Sequence, residues 1–99
     1  MYPMVRGSRF DWDYYLGKHL ELANELLRPL GLLRIEIDHG VSGLPPGAAP
    51  PYHAIGHLFF RTKLEADKAL AATAEAFIAD QRKYFDQPSV VQISKVVEF

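Results

Sequence analysis

The sequence contains no cysteine, which excludes a disulfide, a thiolate metal site and a cysteine nucleophile. It has no apolar run long enough to span a bilayer, and residues 1–10 lack the long apolar core of a secretory signal. Neither sign of charge is in excess, because 11 basic residues nearly balance 12 acidic ones and the formal net charge is −1. No basic patch stands out. We therefore expect a cytoplasmic protein with no membrane partner and no nucleic-acid partner.

What is present indicates one small domain, residues 1–99. Its composition is 48% apolar and 23% charged, which is ordinary for a globular protein. A chain of this length buries only a thin core, and many such domains gain stability by oligomerising. No glycine-rich phosphate loop, nucleophile elbow or zinc-protease motif is present in the sequence.

The first predicted helix begins at Asp11, which we expect to be its N-cap. Phe10 before the cap and Tyr15 inside the helix have the spacing of a hydrophobic staple. Arg28-Pro29 and Gly31 end the helix. Apolar positions recur at three- and four-residue spacing and predict the face that packs on a sheet. They are Trp12, Leu16, Ala23 and Leu26 or Leu27, with His19 among them.

The second predicted helix spans residues 63 to about 81 and is rich in alanine, so that it can lie close to a sheet. Thr62 and Glu65 have the spacing of a capping box at its start. Its predicted apolar stripe consists of Leu64, Ala71, Ala74, Phe77 and Ile78.

Three segments read as strands. Residues 32–41 alternate between apolar and polar side chains, residues 52–60 are almost continuously apolar, and residues 89–99 close the chain. A loop rich in proline and glycine, residues 42–51, joins the first two. If residues 1–5 are the remnant of an opening strand, the order is βαββαβ, a ferredoxin-like α+β fold. It has a four-stranded antiparallel sheet with both helices on one face.

The loop also predicts how the two middle strands pair. If the hairpin is symmetric, Val41 faces Tyr52, and the two faces of the sheet differ in polarity. The predicted helix-side face carries Leu33, Ile35, Ile37, His39, Ala54, Gly56, Leu58 and Phe60. The other face carries Arg34, Glu36, Asp38, His53, Ile55, His57 and Phe59. The second face is too apolar to lie bare in water and too polar for a dry core, so we expect a two-fold homodimer in which two sheets meet.

Two histidines of the second face, His53 and His57, prompt the question of a metal site, with Glu36 across from His57. Residues four apart on one strand lie roughly 13 Å apart, so one ion cannot bind both. We therefore expect no metal, and a contact between a histidine and a carboxylate inside the dimer is the better interpretation.

The sequence resembles the EthD family of the dimeric α/β-barrel superfamily over essentially its whole length. The most specific piece is FDWDYYLGKHLEL at residues 10–22. Tyr2-Pro3, PPYHAIGHLFF at residues 50–60 and VVQISKVVEF at residues 90–99 support it. The sequence departs from the family in one respect. Family members usually carry several more residues before the Tyr-Pro pair, so either Met1 is an internal start or the first strand is curtailed.

The resemblance implies a ferredoxin-like chain that dimerises sheet to sheet and has no settled biochemistry. The founding member is linked to ether degradation beside a cytochrome P450 system. Related barrels include polyketide cyclases, muconolactone isomerases and haem-degrading or quinol-type monooxygenases. In several of them a pocket lined by histidine and tyrosine lies between the helices and the sheet.

Three hypotheses follow for His19. In the first, the protein is a catabolic enzyme without a tightly held cofactor, an isomerase, a cyclase, a monooxygenase-like protein or an EthD-type reductase. His19 is then the acid/base for a small hydrophobic organic compound, and Trp12, Tyr15 and Tyr52 shape its pocket. In the second, the protein is a carrier or an accessory to an oxygenase system. In the third, His19 is a buried core residue with one hydrogen bond.

The location of a binding site is also left open by the sequence. It is either the cleft between the helices and the sheet or the dimer lumen, where His53 and His57 would contact the ligand. Whether a haem or a flavin is ever bound is open too.

Overall fold

An antiparallel sheet of three strands is the frame of the structure. The computed structural model describes residues 1–98, and its strands are β1 (Tyr2–Pro3), β2 (Arg34–His39) and β3 (Tyr52–Phe59). β3 lies in the middle, in the spatial order β1-β3-β2. The sheet and two long helices make an α+β fold, as the sequence predicts.

The pairing of β2 with β3 follows the predicted register. Glu36 lies opposite His57, and Ile37 lies opposite Gly56. This is the hairpin symmetric about the proline-rich loop, so the predicted division of the two faces holds for both strands. The apolar side packs against helices, whereas Arg34, Glu36 and Asp38 on the other side are exposed.

The first helix, α1, spans residues 12–27 and changes its winding on the way. Trp12–Tyr14 are α-helical, Tyr15–His19 form a π-helical turn, and Leu20–Leu27 are α-helical again. Asp11 caps the helix by accepting a hydrogen bond from the Tyr14 amide at 3.0 Å.

The two ends of α1 match the expected signals. The Phe10 and Tyr15 rings lie 5.0 Å apart, which is the predicted staple. A short 3₁₀ turn, Arg28–Leu30, follows the helix, and Gly31 then takes a left-handed conformation with φ of 108°. A side chain is strained at that φ, so glycine is the suitable residue there.

The second helix, α2, is Lys63–Gln81, with the predicted bounds. Thr62 caps it by accepting a hydrogen bond from the Glu65 amide at 3.1 Å. Neither α2 nor α1, nor any other helix within residues 1–98, is long and apolar enough to cross a membrane.

The buried faces of both helices differ in part from the predicted stripes. On α1 the buried stripe is Tyr15, His19, Ala23 and Leu27, and Leu16 is 52% exposed. The buried positions recur every four residues, so Tyr15 and not Leu16 continues the stripe toward the start of α1. On α2 the buried positions are Ala69, Thr73 and Asp80. Of the predicted stripe of α2, Phe77 is half-buried, and the exposed members are Leu64, Ala71, Ala74 and Ile78.

The predicted fourth strand is not formed in residues 89–98, and Phe99 lies outside the described residues. Met1 and Val90 exchange two backbone hydrogen bonds, of 2.7 and 2.9 Å, as neighbours in an antiparallel sheet do. Beyond this point the segment has no neighbouring strand to pair with, because β1 pairs with β3 only at Tyr52–Ala54. The same shortness leaves the edge of β3 beyond Ala54 open.

Two clusters of buried side chains hold the helices on the sheet. One contains Tyr15, Ala54, Tyr84 and Phe85. The other contains Ala23, Leu27, Leu32 and Ala69, and joins α1 to α2. Leu27 is fully buried, so its removal leaves a cavity that the backbone can close only in part.

We expect Leu27→Ala to lower the free energy of unfolding by about 3 kcal/mol, the usual cost of such a cavity. Leu16→Ala is the matched control, since Leu16 lies on the same helix but is 52% exposed, and it should change stability by no more than about 0.5 kcal/mol. Urea unfolding followed by circular dichroism measures both. Equal losses in the two variants would contradict the assignment of the buried face.

Candidate functional site

A cleft of about 500 Å³ lies between the helices and the sheet. Ile35, Ile37 and Leu58 form its floor on the sheet, and Ala74 and Phe77 of α2 form one wall. Along the edge of β3 beyond Ala54, His57 borders the cleft, and residues 89–92 and Ser94 of the C-terminal segment also line it. The lining is mostly apolar, so the polar groups that do reach it stand out.

His19 is held in the cleft by one of its two ring nitrogens. Nδ1 lies 2.8 Å from Oδ2 of Asp80, and both side chains are buried. Within residues 1–98, Nε2 has no hydrogen-bond partner. In residues 1–98 Glu65 Oε2 is the one fully buried side-chain nitrogen or oxygen that lacks a partner, so Nε2 keeps surface accessible from the cleft. The bond to Asp80 therefore favours the tautomer with the proton on Nδ1, and the Nε2 lone pair faces the cleft.

Asp80 is itself fixed by a second hydrogen bond. The Tyr14 hydroxyl donates to Oδ1 at 2.6 Å, while His19 occupies Oδ2. This bond raises the pKa of Tyr14 to about 12, because losing its proton would place two negative charges side by side. Tyr14, Asp80 and His19 thus form a hydrogen-bonded chain in which Asp80 orients the imidazole.

Burial sets the protonation state of His19. Desolvation lowers the pKa of His19, while the hydrogen bond and the charge of Asp80 raise it, and burial is the larger effect. The folded pKa therefore lies below the unfolded one. Stability from this group is fully present above the ordinary pKa of about 6.5 and is lost as the pH falls below it. At neutral pH the imidazole is uncharged and available as a base.

Three tyrosines surround the same end of the cleft. The Tyr2 and Tyr84 hydroxyls lie 2.7 Å apart, and the Tyr15 ring stacks on the His19 ring at 5.0 Å. Burial raises the pKa of all three phenols, so they are protonated donors at neutral pH. Gly56 makes room for Tyr15, since a β-carbon there would lie 2.8 Å from its hydroxyl oxygen.

The other predicted site residues lie elsewhere. Trp12 stacks on His39 at 3.9 Å, and His53 shares a 2.8 Å hydrogen bond with the Ser8 hydroxyl. Neither they nor Tyr52 line the cleft. Their predicted contact with a ligand stays a prediction.

The exposed face of the sheet carries its own pairs. His57 hydrogen-bonds Asp38 at 3.0 Å, whereas Glu36, its opposite neighbour in the register, binds Arg34 at 2.9 Å. Within one chain, His57 therefore has a carboxylate partner in Asp38 and not in Glu36, and the expected contact inside a dimer stays a prediction. No group of three or more histidine, aspartate or glutamate side chains in the described part of the chain could hold a metal ion.

Sequence reasoning missed Asp80, Tyr84 and Tyr2. Asp80 lies seven residues after Thr73, and Tyr84 lies four residues after Asp80, so both continue the buried stripe of α2. The spacing of these polar residues was the available signal that they lie on the buried face. The prediction instead assigned the buried face of α2 to neighbouring apolar residues. Tyr2 appeared only as part of a sequence motif.

The sheet order β1-β3-β2 and the two helices make the chain an α+β protein, an arrangement consistent with a ferredoxin-like fold. No protein-family model and no curated protein matches the sequence. Among solved structures, the fold is similar to that of an EthD-like protein from Ralstonia eutropha JMP134, with a TM-score of 0.90. The two sequences are 28% identical, and the match covers 99% of this chain and 87% of that chain. This likeness confirms the resemblance to the EthD family at the level of the fold.

The competition between burial and Asp80 at His19 can be measured directly. We expect His19 to titrate below 6.5 in an NMR titration of its Cε1 proton, and Asp80→Asn to lower its pKa further by removing the charge that raises it. Asp38→Asn is the control, because it removes a carboxylate 3.0 Å from His57 and should leave the His19 curve unchanged. A higher His19 pKa in Asp80→Asn would refute the proposed orientation.

Proposed function

We propose that this chain binds and transforms a small hydrophobic organic compound in a catabolic pathway, with His19 as the acid/base. One observation carries the proposal. Nδ1 of His19 is held by Asp80 at 2.8 Å, and Nε2 is left accessible in an apolar cleft. A base whose ring is oriented by a buried carboxylate is the arrangement that general acid–base catalysis needs. No bound cofactor is part of the proposal.

A carrier of the same compound, or an accessory protein to an oxygenase system, is the second candidate. The predominance of apolar groups in the cleft favours it, because burial of apolar surface alone retains a hydrophobic ligand. The two candidates differ in the effect of His19→Ala. A catalyst would lose turnover and keep its affinity, whereas a carrier would lose affinity or remain unchanged.

The cleft is tested by filling it. Ala74 lines the cleft, so Ala74→Phe should weaken the binding of an apolar ketone such as 4-phenylbutan-2-one about tenfold or more by occupying its space. Ala72→Phe adds the same group at an exposed position of α2 outside the cleft and should bind normally. Ligand-detected NMR titration gives both dissociation constants. The assignment of the cleft fails if the two variants bind alike.

We also propose that the chain is a homodimer whose two copies meet at the exposed face of the sheet. Ile55 and Phe59 lie half-buried on that face, and Arg34 stacks over the Phe59 ring at 3.8 Å. An apolar centre with charged groups around it is the composition of an interface of this kind.

Sedimentation equilibrium tests the dimer. We expect twice the mass of one chain, and Phe59→Glu should shift the protein to monomer by placing two like charges against each other. Leu44 lies in the loop between β2 and β3 and is 91% exposed, so Leu44→Glu should leave the dimer intact. A wild-type monomer at all accessible concentrations would sink this proposal without affecting the cleft.

A further inference from the structure

The charges around the cleft restrict what it can bind. In residues 1–98 no arginine or lysine lines it, and the one cation at its wall is the Met1 amino group, which donates to the Val90 carbonyl at 2.7 Å. The fixed charge nearest to the free nitrogen of His19 is negative, since Asp80 lies behind the same ring. Within the described chain, no arginine or lysine side chain lies beside His19 to pair with an anionic ligand. Such a ligand would also be repelled by the nearby carboxylate of Asp80.

The tyrosines supply a hydrogen-bond donor at the same end. Tyr2 and Tyr84 share one hydrogen bond of 2.7 Å, so one of the two hydroxyls accepts and retains its own proton. Both residues line the cleft, and the Tyr84 ring lies 4.6 Å from the His19 ring. A neutral base and a neutral O–H donor therefore stand side by side in an apolar space.

We propose that the cleft takes an uncharged carbonyl compound and that His19 Nε2 removes a proton from the carbon beside the carbonyl, while the Tyr2–Tyr84 hydroxyl pair donates to the carbonyl oxygen. This inference rests on the proposed function and narrows it to a substrate class, neutral enolisable ketones or aldehydes rather than carboxylic acids or phosphates.

The step balances without an oxidant or a second reactant. The C–H bond breaks, and its proton moves to Nε2 of His19. The electron pair of that bond forms the enolate double bond, and the carbonyl π electrons move to the oxygen, which the tyrosine O–H stabilises. Asp80 stabilises the imidazolium through Nδ1. When the proton on Nε2 is replaced by a deuteron from the solvent, delivery of that deuteron to the same carbon gives exchange. In a β,γ-unsaturated carbonyl compound, delivery of the proton to the far carbon of the conjugated enolate gives an isomer.

Deuterium exchange tests the step with defined probes. The probes are methyl 4-(2-oxopropyl)benzoate and the corresponding free acid, which carry the same reacting CH₂ group and differ in charge at the far end. In D₂O at neutral pH, loss of the CH₂ signal is followed by proton NMR with and without the full-length protein, and each rate is divided by its protein-free background. We expect the ester to exchange about tenfold or more faster than the acid by this ratio.

Two variants identify the groups. His19→Gln should lower the protein-dependent exchange of the ester by about 10²-fold or more, the usual worth of a general base. Either hydroxyl of the tyrosine pair can be the donor, so the double variant Tyr2→Phe/Tyr84→Phe removes both oxygens and should lower the exchange by about 10²-fold, the usual worth of an oxyanion donor. Asp67→Asn, which removes a carboxylate that pairs with Lys63 on α2 outside the cleft, is the control and should exchange at the wild-type rate. Circular dichroism confirms that each variant is folded.

The outcomes separate this inference from the function on which it rests. If the acid exchanges as fast as the ester, with both rates dependent on His19, the cleft is catalytic and the claim of an uncharged substrate is wrong. If the double variant Tyr2→Phe/Tyr84→Phe exchanges at the wild-type rate, the tyrosine pair is not the donor. If exchange is the same with His19→Gln, or no faster than the background, both this inference and the role of His19 as a base are overturned.

Discussion

The buried carboxylate of Asp80 joins the two helices at the point where the candidate chemistry lies. It comes from the end of α2 and accepts hydrogen bonds from Tyr14 and His19 of α1. A carboxylate taken out of water needs such partners, because an uncompensated buried charge costs several kcal/mol. The packing of α1 on α2 and the orientation of His19 are therefore set by the same atoms. A change in one alters the other.

Tyr15 and His19 lie in the π-helical turn of α1, and their spacing of four residues places both on one face of the helix. Both side chains face the sheet, and their rings stack at 5.0 Å with an angle of 14° between the planes. Leu16, between them in sequence, points outward. A π turn sacrifices regular hydrogen bonding and is often found at functional positions. The most specific motif of the sequence spans this turn, so its specificity reflects the geometry of the site as well as helix formation.

Much of the fold was predictable because the signals are local. Asp11 and Thr62 cap the helices as their side-chain chemistry requires, and the proline-rich loop determined the register of β2 and β3. The buried face of α2 was not predictable in this way. Alanines occur on all sides of this helix, so they do not identify one face, and two of its buried residues, Thr73 and Asp80, are polar. Asp80 lies inside because its partners are more than sixty residues away in the chain, which a periodicity cannot reveal.

The candidate site, like the fold, was predicted only in part. His19 and Tyr15 came from the helix pattern and from the family resemblance, and both line the cleft. The residues that give His19 its chemistry, Asp80 and Tyr84, come from the far end of the chain. The fourth strand was predicted from its composition, but a strand also needs a neighbour, and residues 91–98 have none beside them in the described structure.

The central strand β3 connects the proposed interface with the cleft. Its side chains alternate, so Ile55, His57 and Phe59 face one way while Gly56 and Leu58 face the other. A second copy packed on the first set would hold the strand that forms the cleft floor, including Gly56, against which the Tyr15 hydroxyl lies. The edge of β3 beyond Ala54 has no strand beside it to restrain it. Dimerisation through the sheet would therefore pack a second copy against the strand that forms the cleft floor, so the two proposals concern opposite faces of one strand.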